Sequence, residues 1–178
     1  WSGEEGKSVF LSLEQGIGDQ IMFMGLAKEA QQVCNSLTIM VDERIRSICA
    51  RSIPNIDFIS TIRELDDIDF DYQLPIGSLP RLFRNNEIDF QKSEIGYLKA
   101  DQKYVKYLKK NLNISKPLVG ISWASFNCIA SDKKSIELER LQKVLTKFNC
   151  DVINLQYGDV KMKVEEFANN VNFKTDLK

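Results

Sequence analysis

What most constrains this chain is an alternation of strand-like and helix-like runs, and it first shows at a glycine turn. Ser8–Leu13 (SVFLSL) has the apolar run of a buried strand, and Asp19 to about Val33 the spacing of an amphipathic helix. Between them lies Glu14-Gln15-Gly16-Ile17-Gly18-Asp19-Gln20. In open α/β sheets, ligands bind beyond the carboxyl ends of the strands, which is where such a turn falls. Gly16 and Gly18 are expected to let the backbone turn sharply and approach a ligand closely. Asp19 either caps the helix or directs a carboxylate into the crevice.

The alternation continues. Leu37–Val41 forms a second strand candidate, and Glu43–Arg51 a short helix with Ile45, Ile48 and Cys49 on one face. Pro54-Asn55 breaks it. Asp57–Ser60 and Phe70–Leu74 are further strand candidates, the latter running into the loop Pro75–Pro80, where a short helix begins with Pro80 in its first turn. Residues 85–98 look irregular. Asp101 to about Leu112 has a helical stripe of Val105, Leu108 and Leu112. After Asn113–Pro117 the pattern restarts: strand Leu118–Trp123, a polar loop, helix Ile136–Phe148, strand Asp151–Gln156 and helix Val160–Asn169. Repeated βα units imply a parallel sheet with helices on its faces. The expected fold is α/β: a Rossmann-like domain over residues 1–115, then the start of a second Rossmann-like unit over 116–178.

Bulk properties remove several classes of function. With 178 residues and 43% hydrophobic side chains, the chain can bury a core. A net charge of −1 offers no electrostatic case for nucleic acid or an anionic membrane. No apolar run reaches the ~18 residues of a membrane span, and no signal peptide is visible. A cytoplasmic location is expected. The chain begins at Trp1, as a piece of a longer protein would. Cys34, Cys49, Cys128 and Cys150 are too far apart for a C-x-x-C pair, and read as reduced, mostly buried thiols. There is no histidine, so Ser-His and Cys-His catalysis are excluded and no zinc site can be completed. No metal and no cofactor is expected. A general base must be Asp, Glu, Lys, Tyr or Cys.

Four constellations follow strands. The first is the glycine turn. It lacks the third glycine of a dinucleotide fingerprint, where Ile21 stands, although Asp42 follows the second strand as a ribose-binding acid would. It also lacks the Gly-Lys-Ser/Thr of a nucleotide-triphosphate loop. The second is Ser122-Trp123-Ala124-Ser125 with Lys133-Lys134-Ser135, whose hydroxyls and ammonium groups suit a phosphate. A solvated polar loop is the other reading. The third is Gln156-Tyr157-Gly158-Asp159, a turn that also brings Gln156 and Tyr157 to the sheet edge. The fourth is Pro75–Pro80, a rigid loop that can line the crevice.

Trp1-x-Gly3-Glu4, EQGIGDQ, Asp71 ahead of Pro75-x-x-Ser78-Leu79-Pro80, Tyr97-Leu98, Gly120-Ile121-Ser122-Trp123 and Leu155-Gln156-Tyr157-Gly158 occur in that order. This set resembles the glycosyltransferase-like region that follows tetratricopeptide repeats in many bacterial proteins. That region is similar to the heptosyltransferase family (glycosyltransferase family nine), and more distantly to the O-linked N-acetylglucosamine transferases. The resemblance implies a GT-B architecture, with an acceptor-side N-terminal domain and a C-terminal domain for a nucleotide-sugar donor. It implies that Asp19, in Gly18-Asp19, is the general base. It implies that Lys134, or Lys133, contacts donor phosphates with help from Ser122 and Ser125, and that Gln156 and Tyr157 lie on the donor side. Gln15, Gly16, Gly18, Gln20 and Ser78 would line the cleft. The expected activity is inverting, metal-independent sugar transfer to a glycan or protein acceptor, with tetratricopeptide repeats in the same parent chain. The family's Asp-x-x-x-x-His stretch is missing, so the isolated chain is expected to be inactive. Two other readings stay open: a non-catalytic glycan-, nucleotide- or protein-binding module, and an NAD-dependent oxidoreductase, which Ile21 disfavours.

Overall fold

The computed structural model describes residues 1–14, 16–91, 96–125, 134–160, 162, 164–165 and 173–174. The chain divides into two compact units, Trp1–Asp101 and Gln102–Lys178. The division falls ahead of the 102–111 helix rather than at the Asn113–Pro117 break.

The first unit is built on four parallel strands, β1 (Ser8–Ser12), β2 (Ser36–Met40), β3 (Asp57–Ile59) and β4 (Tyr72–Pro75), in the order β3-β2-β1-β4. Val9 pairs with Leu37 on one side and Tyr72 on the other, which makes β1 central. Val9, Phe10 and Leu11 are consecutive and all buried, so β1 shows no polar alternation; a parallel strand covered on both faces has none. Pro75 closes β4 at the sheet edge, where its missing N–H costs no ladder bond. Asp71 clamps the opposite end of the sheet: its Oδ2 accepts the Ser8 N–H (2.8 Å), and its own N–H donates to the Ser8 carbonyl (2.8 Å).

Helices α1 (Ile17–Met24), α2 (Ala27–Val33), α3 (Glu43–Ser52), α4 (Leu79–Phe83) and α5 (Glu87–Phe90) complete this unit. In α3, Ile45 and Cys49 point inward at one-turn spacing, and Ile53 follows on the same stripe. The stretch expected to be irregular holds α5, which Asn86 starts by accepting the Ile88 and Asp89 N–H groups in a capping box. Arg84, with a side chain only 3% exposed, donates to both oxygens of Glu29 (2.8 and 2.6 Å) and joins the end of α4 to α2. Trp1 packs against Phe83, and its Nε1 donates to the Glu4 carbonyl.

The single helix expected from Asp19 to Val33 is two helices, broken at Gly25. The Gly25 N–H turns to the Met22 carbonyl and the Leu26 N–H to that of Phe23, so the Ile21 carbonyl loses its helical partner. Tyr97 supplies the replacement: its hydroxyl donates to that carbonyl at 2.6 Å. A Cβ at Gly25 would stand 3.3 Å from the Met22 carbonyl oxygen and 3.7 Å from the Tyr97 ring. Burial, with the nearby Cys49 adding less, holds the Tyr97 phenol well above its usual range, so it remains a donor. Next to it, the Lys99 N–H donates to Ser52 Oγ (2.8 Å), and Arg51 Nε donates to the Lys99 carbonyl (2.8 Å). Tyr97→Phe is expected to cost about 1–2 kcal/mol, the scale of orphaning a half-buried acceptor. Urea unfolding measures this, and an unchanged midpoint would mean that water replaces the hydroxyl.

The second unit holds α6 (Gln102–Asn111), β5 (Leu118–Ile121), α7 (Leu138–Leu145), β6 (Asp151–Asn154) and β7 (Phe173–Lys174). Its strands are parallel in the order β5-β6-β7. Ile121, Trp123, Leu138, Leu145, Val152, Val160 and Val164 form its core. Asp151, fully buried, accepts the Ser115 and Lys116 N–H groups (3.0 and 3.2 Å) and anchors the segment that leads into β5. Both strand candidates of this unit end two residues early, because Ser122–Trp123 and Leu155–Gln156 leave the ladder. Most of the 160–169 helix candidate lies outside the described residues.

Candidate functional site

In the first unit, β1 has β2 on one flank and β4 on the other. The loops that leave the carboxyl ends of β1 and β4 therefore part at a topological switch point, the usual place for a crevice in such sheets. One loop carries Glu14 and Gly16 into α1. The other carries Ile76–Ser78, a single 3-10 turn, into α4.

The glycines act differently from expectation. Gly16 is the N-cap of α1 with φ −80° and ψ 170°, extended backbone open to any residue, and Gly18 already lies within the helix. Neither supplies a left-handed turn. What they leave is bare space: both are exposed, and nothing stands within 4 Å of a Cβ placed at Gly18. As a glycine, Gly16 offers no capping side chain to the first N–H groups of α1. Asp19 is not the cap; it sits in the first turn, half-buried. Its Oδ2 lies 3.8 Å from the position of a Gly16 Cβ, so the carboxylate folds back over the turn.

Glu14, which the sequence did not single out as a site residue, occupies the switch point. Its Oε2 accepts the Gly77 N–H at 3.3 Å. A Cβ at Gly77 would come within 2.8 Å of that oxygen and 3.3 Å of Phe23, so glycine permits the approach. The Gly77 in the loop after β4 was the available signal, but nothing local pairs it with Glu14. Ser78 follows on the same turn, half-buried, and its hydroxyl does not cap α4.

Gln20 is buried, and its Oε1 accepts the Asp42 N–H at 2.9 Å. This amide ties α1 to the exit of β2. Asp42 caps α3 by accepting the Arg44 N–H, and both its oxygens take the Arg44 guanidinium (2.9 and 2.8 Å). Those side-chain bonds pull the Asp42 carboxyl down to about 2. A ribose would have to displace Arg44 to reach it. Gln15 lies outside the described residues.

In the second unit, Ser122–Ser125 leave β5, and Leu155–Tyr157 leave β6 beside it. Gln156 is 6% exposed. Its Oε1 accepts the Trp123 and Ala124 N–H groups (both 2.8 Å) and the Ser122 hydroxyl (3.1 Å). Its Nε2 donates to the Ala124 and Tyr157 carbonyls (2.9 and 3.2 Å). The Ile136 N–H donates to the Trp123 carbonyl and the Ser125 N–H to Ser135 Oγ, which brings the two ends of the 122–136 loop together. Ser122 and Lys134 are exposed, Ser125 is half-buried, and Tyr157 is 62% exposed. Lys133 and Cys128 lie outside the described residues.

Burial raises the Cys34 thiol to about 11 and also raises Cys49, so neither supplies a thiolate at neutral pH. Among the described residues, no group of three or more Cys, Asp or Glu could hold a metal ion. No helix there is long and apolar enough to cross a membrane.

No protein-family model matches the chain, and no solved structure matches it. A protein of Caulobacter vibrioides called Protein FlbA is 25% identical over 185 residues, which cover 92% of this chain and 31% of that protein. The chain thus spans about a third of the relative it matches. The fold class rests on the strands themselves. This is an α/β chain, broadly Rossmann-like, with parallel sheet and flanking helices.

Proposed function

We propose that this chain is part of a glycosyltransferase of GT-B type, which moves a sugar from a nucleotide-sugar donor to an acceptor hydroxyl with inversion. The first unit serves the acceptor, and the second opens the donor domain. One observation carries the reading. A carboxylate, Asp19, lies in the first turn of α1 at the β1/β4 switch point, beside the exposed Gly16 and Gly18. The other motif clusters support it, since Pro75–Ser78, Ser122–Ser125 and Gln156–Tyr157 also lie at carboxyl ends of parallel strands. Charge supports it as well. Acidic side chains outnumber basic ones in Trp1–Asp101, whereas basic ones prevail in Gln102–Lys178, as an anionic donor requires.

In this reaction the Asp19 carboxylate takes the proton of the acceptor hydroxyl as the oxygen attacks the anomeric carbon. The bond from that carbon to the diphosphate breaks, and the nucleoside diphosphate leaves with the electron pair. Lys134 and the Ser125 hydroxyl offset its charge. Gln20 and Gln156 work through the backbone they hold, and the bonded Asp42 weighs against a dinucleotide. Tetratricopeptide repeats in the parent chain, a glycan or protein acceptor and a cytoplasmic site of action belong to the same proposal.

The test is to incubate the full-length protein with uridine, guanosine and adenosine diphosphate sugars, together with glycan and peptide acceptors. Release of nucleoside diphosphate with a glycosylated product is the expected result. Binding without release or transfer would make the chain a non-catalytic module. Binding of NAD without any nucleotide sugar would make it an oxidoreductase.

A further inference from the structure

We infer that Gln156 is a positioning residue for a nucleoside diphosphate in the second unit: it shapes the loop after β5 and does not touch the ligand. The inference rests on the glycosyl-transfer reading for the ligand, and on hydrogen-bond capacity for the role. A primary amide has two donor hydrogens and one carbonyl oxygen with two lone pairs. Both hydrogens of Gln156 are used, on the Ala124 and Tyr157 carbonyls, and its oxygen already accepts three donors. No capacity remains for a phosphate, a ribose or a base.

The bonds also form a grip. Ala124 is held by both its N–H and its C=O, as a neighbouring strand would hold it, so one side chain continues the sheet beyond β5. Trp123, which is buried, is held by its N–H to Gln156 and by its carbonyl to the Ile136 N–H. The Gln156 N–H donates to Asn154 Oδ1, which fixes the root of the grip on β6. The Ser122 hydroxyl also donates to Gln156, at 3.1 Å the longest of the three contacts to that oxygen. Contact with the diphosphate falls to Ser125 and Lys134, whose place depends on the held segment.

Two variants and a control test this. In the full-length protein, Gln156→Leu removes every bond made by the side-chain amide, whereas Gln156→Glu keeps an acceptor for the Trp123 and Ala124 N–H groups. Val152→Ala, in the core of β6, lowers stability without removing any of these hydrogen bonds. Affinity for uridine, guanosine and adenosine diphosphate is measured by calorimetry, and protection of the Trp123 and Ala124 amides by hydrogen exchange. Gln156→Leu is expected to lose both protection and about tenfold or more in affinity. Gln156→Glu should fall between it and the wild type, and Val152→Ala should keep wild-type affinity. Wild-type affinity in Gln156→Leu, or an equal loss in Val152→Ala, overturns the positioning role. A wild type that binds none of uridine, guanosine and adenosine diphosphate overturns the glycosyl-transfer reading and, with it, the inference. That failure is distinguishable because it needs no substitution.

Discussion

Replacing Asp19 by asparagine should cut sugar transfer by the full-length protein about a hundredfold or more, the scale of losing a general base. Asparagine keeps the size of the side chain and the turn it folds over, but its amide cannot take a proton from a hydroxyl. The loss should fall on kcat, with donor affinity unchanged, because the proposed donor site lies in the second unit. Loss of an acid from the first turn of α1 costs only about 0.3–1 kcal/mol of helix stability, so misfolding would not imitate the effect. Turnover within severalfold of wild type would remove Asp19 from the chemistry and pass the role to Glu14, the other carboxylate at the switch point.

The largest effect on stability should come from Arg84→Ala. The Arg84 side chain is almost fully enclosed and forms a two-point pair with Glu29, whose side chain is 29% exposed. The variant leaves a carboxylate half-enclosed without its counter-charge. Breaking a buried pair from one side costs about 3–5 kcal/mol, and partial access of water to Glu29 sets the expectation at about 3 kcal/mol. In a unit of this size that corresponds to a Tm lower by roughly 12 °C or more. Lysine should recover only part of this, since a single ammonium cannot make the parallel fork. Chemical denaturation followed in the first unit is the measurement. A loss below about 1 kcal/mol would mean that Glu29 simply turns to solvent.

The sheet was legible because its signal is local. Consecutive buried residues such as Val9, Phe10 and Leu11, followed by a glycine turn and a helix, announce a central parallel strand wherever they occur. The break at Gly25 was not legible. The apolar spacing runs unbroken from Asp19 to Val33, and what stabilises the interruption is a hydroxyl from Tyr97, far away in sequence. The site behaved likewise. The sequence brought attention to strand ends, yet it could not say what each side chain does there. Glu14 meets Gly77 only once β4 lies beside β1, and Gln156 becomes saturated only once the loop after β5 turns back on it. Capacity for hydrogen bonds is a property of the folded neighbourhood, which is why residues read as cleft-lining, such as Gln20, turn out to hold backbone. The motif set divides on the same line. Trp1, Glu4, Asp71 and Tyr97 fasten the first unit, while the remaining motifs stand at the open ends of strands.

The bonds of Tyr97 and Lys99 also decide where this protein can be severed. Residues 97–99 reach back to α1 and α3 from the last stretch of the first unit. A protease or an engineer cutting ahead of Tyr97 removes the stitch that closes the break between α1 and α2, and the helix that carries Asp19 loses its fixed end. A cut after Asp101 keeps all three bonds, so the usable seam lies beyond the tyrosine.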